Sequence, residues 1–180
     1  RGPRLATRFV YPMLSLEGRG FWTVGLAPIP RTRIVWQKYI LCLLGCLAVS
    51  HTLTGVSNAV LEVPATYLLL THGVVTVLSV GLTSLSIGLG AIVPNFTEDN
   101  PARIANGLGG TLNVILSLLY IGVSVWLIAV PIHFVPRSES AGALWDRFGG
   151  LYLALVGVFH AAVIIAPLRI GLRRWAAHEF

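Results

Sequence analysis

The sequence predicts an all-α fold: a polytopic bundle of transmembrane helices. Three observations carry that expectation. Apolar residues make up 55% of the 180-residue chain and charged residues only 11%, against about a quarter charged in a soluble domain. The mean hydropathy is +0.78. Four apolar runs are each long enough to cross roughly 30 Å of hydrocarbon at about 1.5 Å per helical residue. The net charge of +6 would suggest nucleic acid only on a folded polar surface; here the arginines flank apolar runs, so nucleic acid is excluded as a partner and membrane lipid is expected.

The chain opens with a short apolar stretch, Leu5 to Leu16, interrupted by Arg8 and Pro12. It is too short to span and reads as the end of a preceding span. Residues 1–33 are therefore expected to be cytoplasmic or interfacial, 34–170 the membrane bundle, and 171–180 a basic cytoplasmic tail. The spans are expected at 34–58, 64–93, 108–133 and 149–170, all helical because lipid offers unpaired backbone no partner. Pro64 opens the second span, Pro94 closes it, and Pro167 lies near the end of the fourth. At 30 residues the second span must tilt, or loosen near Gly88 and Gly90.

Basic residues set the expected orientation. Both termini in the cytoplasm place eleven Lys and Arg inside and only Arg137 and Arg147 outside, as the positive-inside rule favours. Small residues four apart, Ser79 with Thr83 and Ser84 with Gly88, supply close-packing faces on the second span, as do Gly107, Gly109 and Gly110 at the start of the third. Gly45 with Val49 is a poorer example of the same pattern.

Two polar stretches stand out. The first runs Ser15-Leu16-Glu17-Gly18-Arg19-Gly20-Phe21-Trp22, with Pro28 and Lys38 following. It suits an interfacial turn with its aromatics at headgroup level, and lipid-gripping arginines alone would explain it too. The second runs from Pro94 through Phe96, Glu98, Asp99, Asn100 and Pro101 to Arg103. Asp99 or Asn100 suits a helix cap with Pro101 at the first helical position.

In order and spacing, these two stretches resemble the membrane (permease) subunit of an ABC-type exporter, the type-2 permease class and its related bacterial ABC exporter family. The likeness covers about residues 7 to 130. It implies a six-span protein of which this chain holds the C-terminal part. Ser15, Glu17, Gly18, Arg19, Phe21 and Trp22 would then form the coupling contact with an ATP-binding cassette ATPase subunit. Pro94, Phe96, Glu98, Asp99, Asn100, Pro101 and Arg103 would form a second cytoplasmic contact. The resemblance further implies a homodimer or pseudo-dimer in the bacterial inner membrane, with ATP and Mg on the partner subunit and no cofactor in this chain.

No G-x-x-x-x-G-K-[ST] occurs, and Gly107-Leu108-Gly109-Gly110-Thr111 lacks the phosphate-binding lysine. The reading is therefore a transport subunit that is not itself an enzyme and has no catalytic residues. The alternative is a non-transporting helical scaffold within a larger membrane complex. His51, His72 and His160 fall within spans, where an ionisable group is a functional candidate. None has a histidine partner three or four residues away on its own helix, so no metal site is expected. Cys42 and Cys46 lie on one helix face and are expected as free thiols.

Overall fold

The computed structural model describes residues 31–93 and 100–176. Among these there is no strand. The helices are α1 (Arg31–Val60), α2 (Ala65–Ile92), α3 (Pro101–Asn106), α4 (Leu108–Phe134) and α5 (Glu139–Ala176), with a 3-10 turn at Val135–Arg137 before α5. The four long helices are each apolar enough to cross a membrane.

Burial is inverted relative to a soluble bundle. Leu69 is 86% exposed and Val60 76%, whereas Ser79, Thr83, Ser84 and Ser86 are buried. Apolar side chains on the outside and hydroxyls on the inside make sense only where the solvent is hydrocarbon, because outward leucines then meet acyl chains and inward hydroxyls avoid them.

The spans begin and end close to where the sequence places them, with one large difference. The fourth helix starts at Glu139 rather than 149 and continues to Ala176, so most of the expected outer loop is helix. Local chemistry accounts for the early start. Ser138 is extended (φ −142°, ψ 123°), its Oγ accepts from the Ala141 amide, and Glu139 lies in the positively polarised first turn. Pro167 does not end this helix but sits inside it.

The turn from α1 to α2 closes with the Val63 amide on the Asn58 carbonyl at 3.0 Å and the Glu62 amide on the Ala59 carbonyl at 3.4 Å. That bonding pattern requires a left-handed residue between helix and exit. Glu62 supplies it at φ 51°. α2 then runs unbroken to Ile92: of the two expected accommodations, tilt or loosening near Gly88 and Gly90, the helix does not loosen, and Gly88 lies instead at a helix crossing.

α2 is the axis of the bundle, contacting α1, α4 and α5. It packs most extensively against α5, where the backbones nearly touch. A Cβ on Gly88 would come within 2.5 Å of the Pro167 carbonyl carbon, and one on Gly171 within 2.7 Å of the Gly88 oxygen. Around this crossing Ile87 and Ala91 of α2 join Val35 and Tyr39 of α1 and Leu168 and Trp175 of α5 in an apolar cluster. It ties together the start of α1 and the ends of α2 and α5. Gly45, by contrast, has nothing near it and Val49 is exposed, so that pair is not a packing face.

Candidate functional site

The polar groups of the bundle converge on α2 from two sides. Toward α1 they form a ladder. Asn58 Nδ2 donates to Thr71 Oγ1 at 2.9 Å, and His51 Nδ1 and His72 Nδ1 are 2.9 Å apart. His51 Nε2 is 3.2 Å from Thr76 Oγ1, and Ser79 Oγ donates to Ser50 Oγ at 3.4 Å. Tyr39 Oη meets Ser84 Oγ at 3.2 Å. Because Ser84 spends its own proton on the Val80 carbonyl, the tyrosine is the donor.

Toward α4 the polar groups form a seam. Asn113, Ser117, Tyr120 and Ser124 are all buried and recur at helical spacing, which places them on one stripe. The Tyr120 hydroxyl donates to the Val77 carbonyl at 3.2 Å, and its ring occupies the space a Cβ on Gly81 would need. From α5, His160 packs edge-on against the same ring, with centroids 5.7 Å apart, and its Nδ1 lies 2.8 Å from the Val156 carbonyl. Thr83 Oγ1, Ser86 Oγ and Ser117 Oγ are buried with no hydrogen-bond partner among the described residues. Orphaned hydroxyls are rare in settled interiors.

α4 and α5 splay apart and leave clefts between them and α2. One, of about 480 Å³, is lined by Tyr67, Leu127, Pro131, Trp145 and Tyr152 among others. The next, of about 630 Å³, reaches from Thr66 past Gly73 and Val77 to His160. One hydrogen bond spans the splay: Tyr152 donates to the Leu127 carbonyl at 2.6 Å. Pro131, four residues further on, has no N–H to give that carbonyl, so the tyrosine from α5 satisfies what the proline leaves open.

Ser15, Glu17, Gly18, Arg19, Phe21 and Trp22 lie outside the described residues, as do Pro94, Phe96, Glu98 and Asp99. Of the second stretch, Asn100 is the cap expected of it. Its side chain accepts from the Ala102 amide at 2.9 Å, and the helix opens on Pro101, with Arg103 in its last turn. Gly107 separates α3 from α4, and Gly110 lies against the Ala105 backbone, so the expected close packing there joins a short helix to its neighbour. Cys42 and Cys46 are not joined in a disulfide. No cluster of three or more His, Cys, Asp or Glu able to hold a metal exists among the described residues.

Two features escaped the sequence reading although signals for them existed. His51 stands ten residues before Leu61 and His72 ten after Glu62, so an antiparallel hairpin turning there brings them level. The spacing of Asn113, Ser117, Tyr120 and Ser124 within an otherwise apolar run is the signature of one inward polar stripe.

The family model described as "Putative ATP-binding cassette" matches residues 3–180. The chain belongs to that family. No curated protein and no solved structure matches the chain. Membership in an ATP-binding cassette family corrects four expectations. The chain is not assigned to the permease subunit class. Its function is not that of a subunit served by a separate ATPase, nor that of a scaffold. ATP belongs to this family itself, which overturns the reading of a chain without an ATPase site. An ATPase subunit is accordingly not the partner to expect. The sequence pointed elsewhere because it has no lysine-bearing phosphate loop and so many apolar spans. Association with ABC transport stands, as does the presence of helices able to cross a membrane.

Proposed function

We propose that the chain works in ATP-dependent transport across a membrane, with nucleotide binding and the helical bundle belonging to one protein. The family match over residues 3–180 carries this reading. Mg-ATP is the ligand that reading implies, and no residue is assigned to it, since the phosphate-loop motif is missing. The bundle supports a moving role. Thr83, Ser86 and Ser117 are buried without hydrogen-bond partners among the described residues, and a shift of α4 against α2 is the kind of motion that would bring such hydroxyls to partners. The excess of arginine at the two ends of the chain and after α2 favours a cytoplasmic placement of both termini in a bacterial inner membrane.

The test is made on the full protein purified alone into lipid nanodiscs. Mg-ATP is expected to bind saturably and to change the labelling rate of a single cysteine placed at Ser117, in a background where Cys42 and Cys46 are serine. Absence of both binding and any nucleotide-dependent change at millimolar Mg-ATP would overturn the proposal.

A further inference from the structure

We propose that His51 and His72 form a binding site for a single proton between the apolar helices α1 and α2. The inference stands apart from the transport reading, because it rests on the α1–α2 pair alone. The rings are stacked, with centroids 5.1 Å apart and planes at 21°, and their Nδ1 atoms are 2.9 Å apart. His51 lies nine residues before the end of α1 at Val60 and His72 seven residues after the start of α2 at Ala65, so both sit roughly 10–14 Å along the axis from the turn, inside the apolar runs.

Ring hydrogens follow from counting donors and acceptors. Thr76 donates its one hydroxyl proton to the His72 carbonyl at 2.8 Å. Toward His51 Nε2, 3.2 Å away, the threonine oxygen is therefore an acceptor, so His51 carries its hydrogen on Nε2. A neutral His51 then has a bare Nδ1, which accepts from His72 Nδ1–H. His72 in turn is left with a bare Nε2, the one open basic nitrogen of the pair.

A proton arriving from hydronium forms an N–H bond at His72 Nε2 and leaves water behind. His72 Nδ1–H then passes its proton to His51 Nδ1, so the charge moves from α2 to α1 while both rings stay hydrogen-bonded. Thr76 holds the His51 Nε2–H throughout. A second proton would set two cations 2.9 Å apart and abolish the bond between them, so the site holds one.

The surrounding titratable and charged groups leave the pair to itself. α1 carries Arg33, Lys38, Tyr39, Cys42 and Cys46, and α2 carries Tyr67. The titratable groups that α4 and α5 bring to the bundle interior, Tyr120 and His160, pack against each other. The carboxylates among the described residues are Glu62 in the turn and Glu139 and Asp146 at the start of α5. None of these makes a hydrogen bond or ion pair to either ring among the described residues.

The test is nitrogen-15 solid-state NMR of histidine-labelled full protein in bilayers, with His51→Gln and His72→Gln assigning the signals. At alkaline pH one ring is expected as Nε2–H (His51) and the other as the rarer Nδ1–H tautomer (His72). Acidification should then add one proton per pair, with both signals moving together. Thr76→Val, which keeps shape and removes the acceptor, should let His51 lose its fixed tautomer while the helices stay packed. Two Nε2–H rings, independent titration of the two, or uptake of two protons in one step would each overturn the proposal. So would one equivalent of Zn²⁺ shifting both signals with release of a proton, which would make the pair a metal site.

Discussion

The two sides of α2 hold their neighbours by opposite means. Against α1 the contact is a ladder of side-chain hydrogen bonds running from Asn58–Thr71 to Tyr39–Ser84. Against α5 it is backbone on backbone, Gly88 meeting Pro167 and Gly171. Lipid removes the hydrophobic drive that would pull helices together in water, which leaves directional bonds and close packing as the remaining sources of association. A ladder tolerates small displacements, since each rung is worth little and bends. A crossing at glycine tolerates almost none, since a single added carbon collides with main chain.

That difference sets the sizes of the expected effects. Gly88→Val should be the most damaging change, lowering stability by about 2–3 kcal/mol through overpacking against Pro167. Thermal unfolding in detergent micelles would read it. Gly45→Val is the matched control: nothing lies within 4 Å of its Cβ position, and the same assay should register a loss of less than about 0.5 kcal/mol. Equal losses from the two would break the contrast.

A rung of the ladder should matter less. A double-mutant cycle on Asn58→Ala and Thr71→Ala is expected to give a coupling energy of about 0.6 kcal/mol, with about 1.7 kcal/mol as a ceiling, from interhelical hydrogen bonds measured in membranes. A coupling well above that ceiling would make the ladder, not the crossing, the rigid side. The smallest effect is a gain. Glu62→Gly relieves a left-handed glutamate at φ 51° and should raise stability by roughly 0.5–1 kcal/mol in the same unfolding measurement, after the extra freedom of glycine in the unfolded chain is counted.

The spans were legible because apolar run length is a one-dimensional quantity. So was the cap at Asn100, whose chemistry is local to Pro101 and Ala102. The start of α5 was not legible from hydropathy: Glu139, Asp146 and Arg147 look like loop, yet a serine cap and helix-compatible residues extend the helix through them. Pro167 lies near the expected end of the fourth span because proline interrupts the ladder of main-chain bonds, yet the helix runs on past it to Ala176, since within a span neighbouring helices sustain it. Polar pairing between helices was missed for a different reason. His51 has its partner across the turn, a relation that spacing along one helix does not contain. The small residues Ser84 and Gly88 were recognised as a packing face, but which helix they meet depends on the whole bundle. The stretch from Ser15 to Trp22 lies outside the described residues, and the family match moved the assignment built on it away from a separate ATPase.

The central claim is that α2 is the buried axis of a membrane-spanning bundle whose polar side chains face inward. It is tested most directly by a nitroxide scan of residues 65–92 in lipid bilayers, with Cys42 and Cys46 replaced by serine. The account predicts that the water-soluble nickel relaxation agent is excluded along the helix. Oxygen collisions should be frequent at an outward position such as Leu69, 86% exposed, and scarce at Ser79, Ser86 and Ile87. Nickel reaching the stretch from Ser79 to Ala91, or uniform oxygen access around α2, would contradict it.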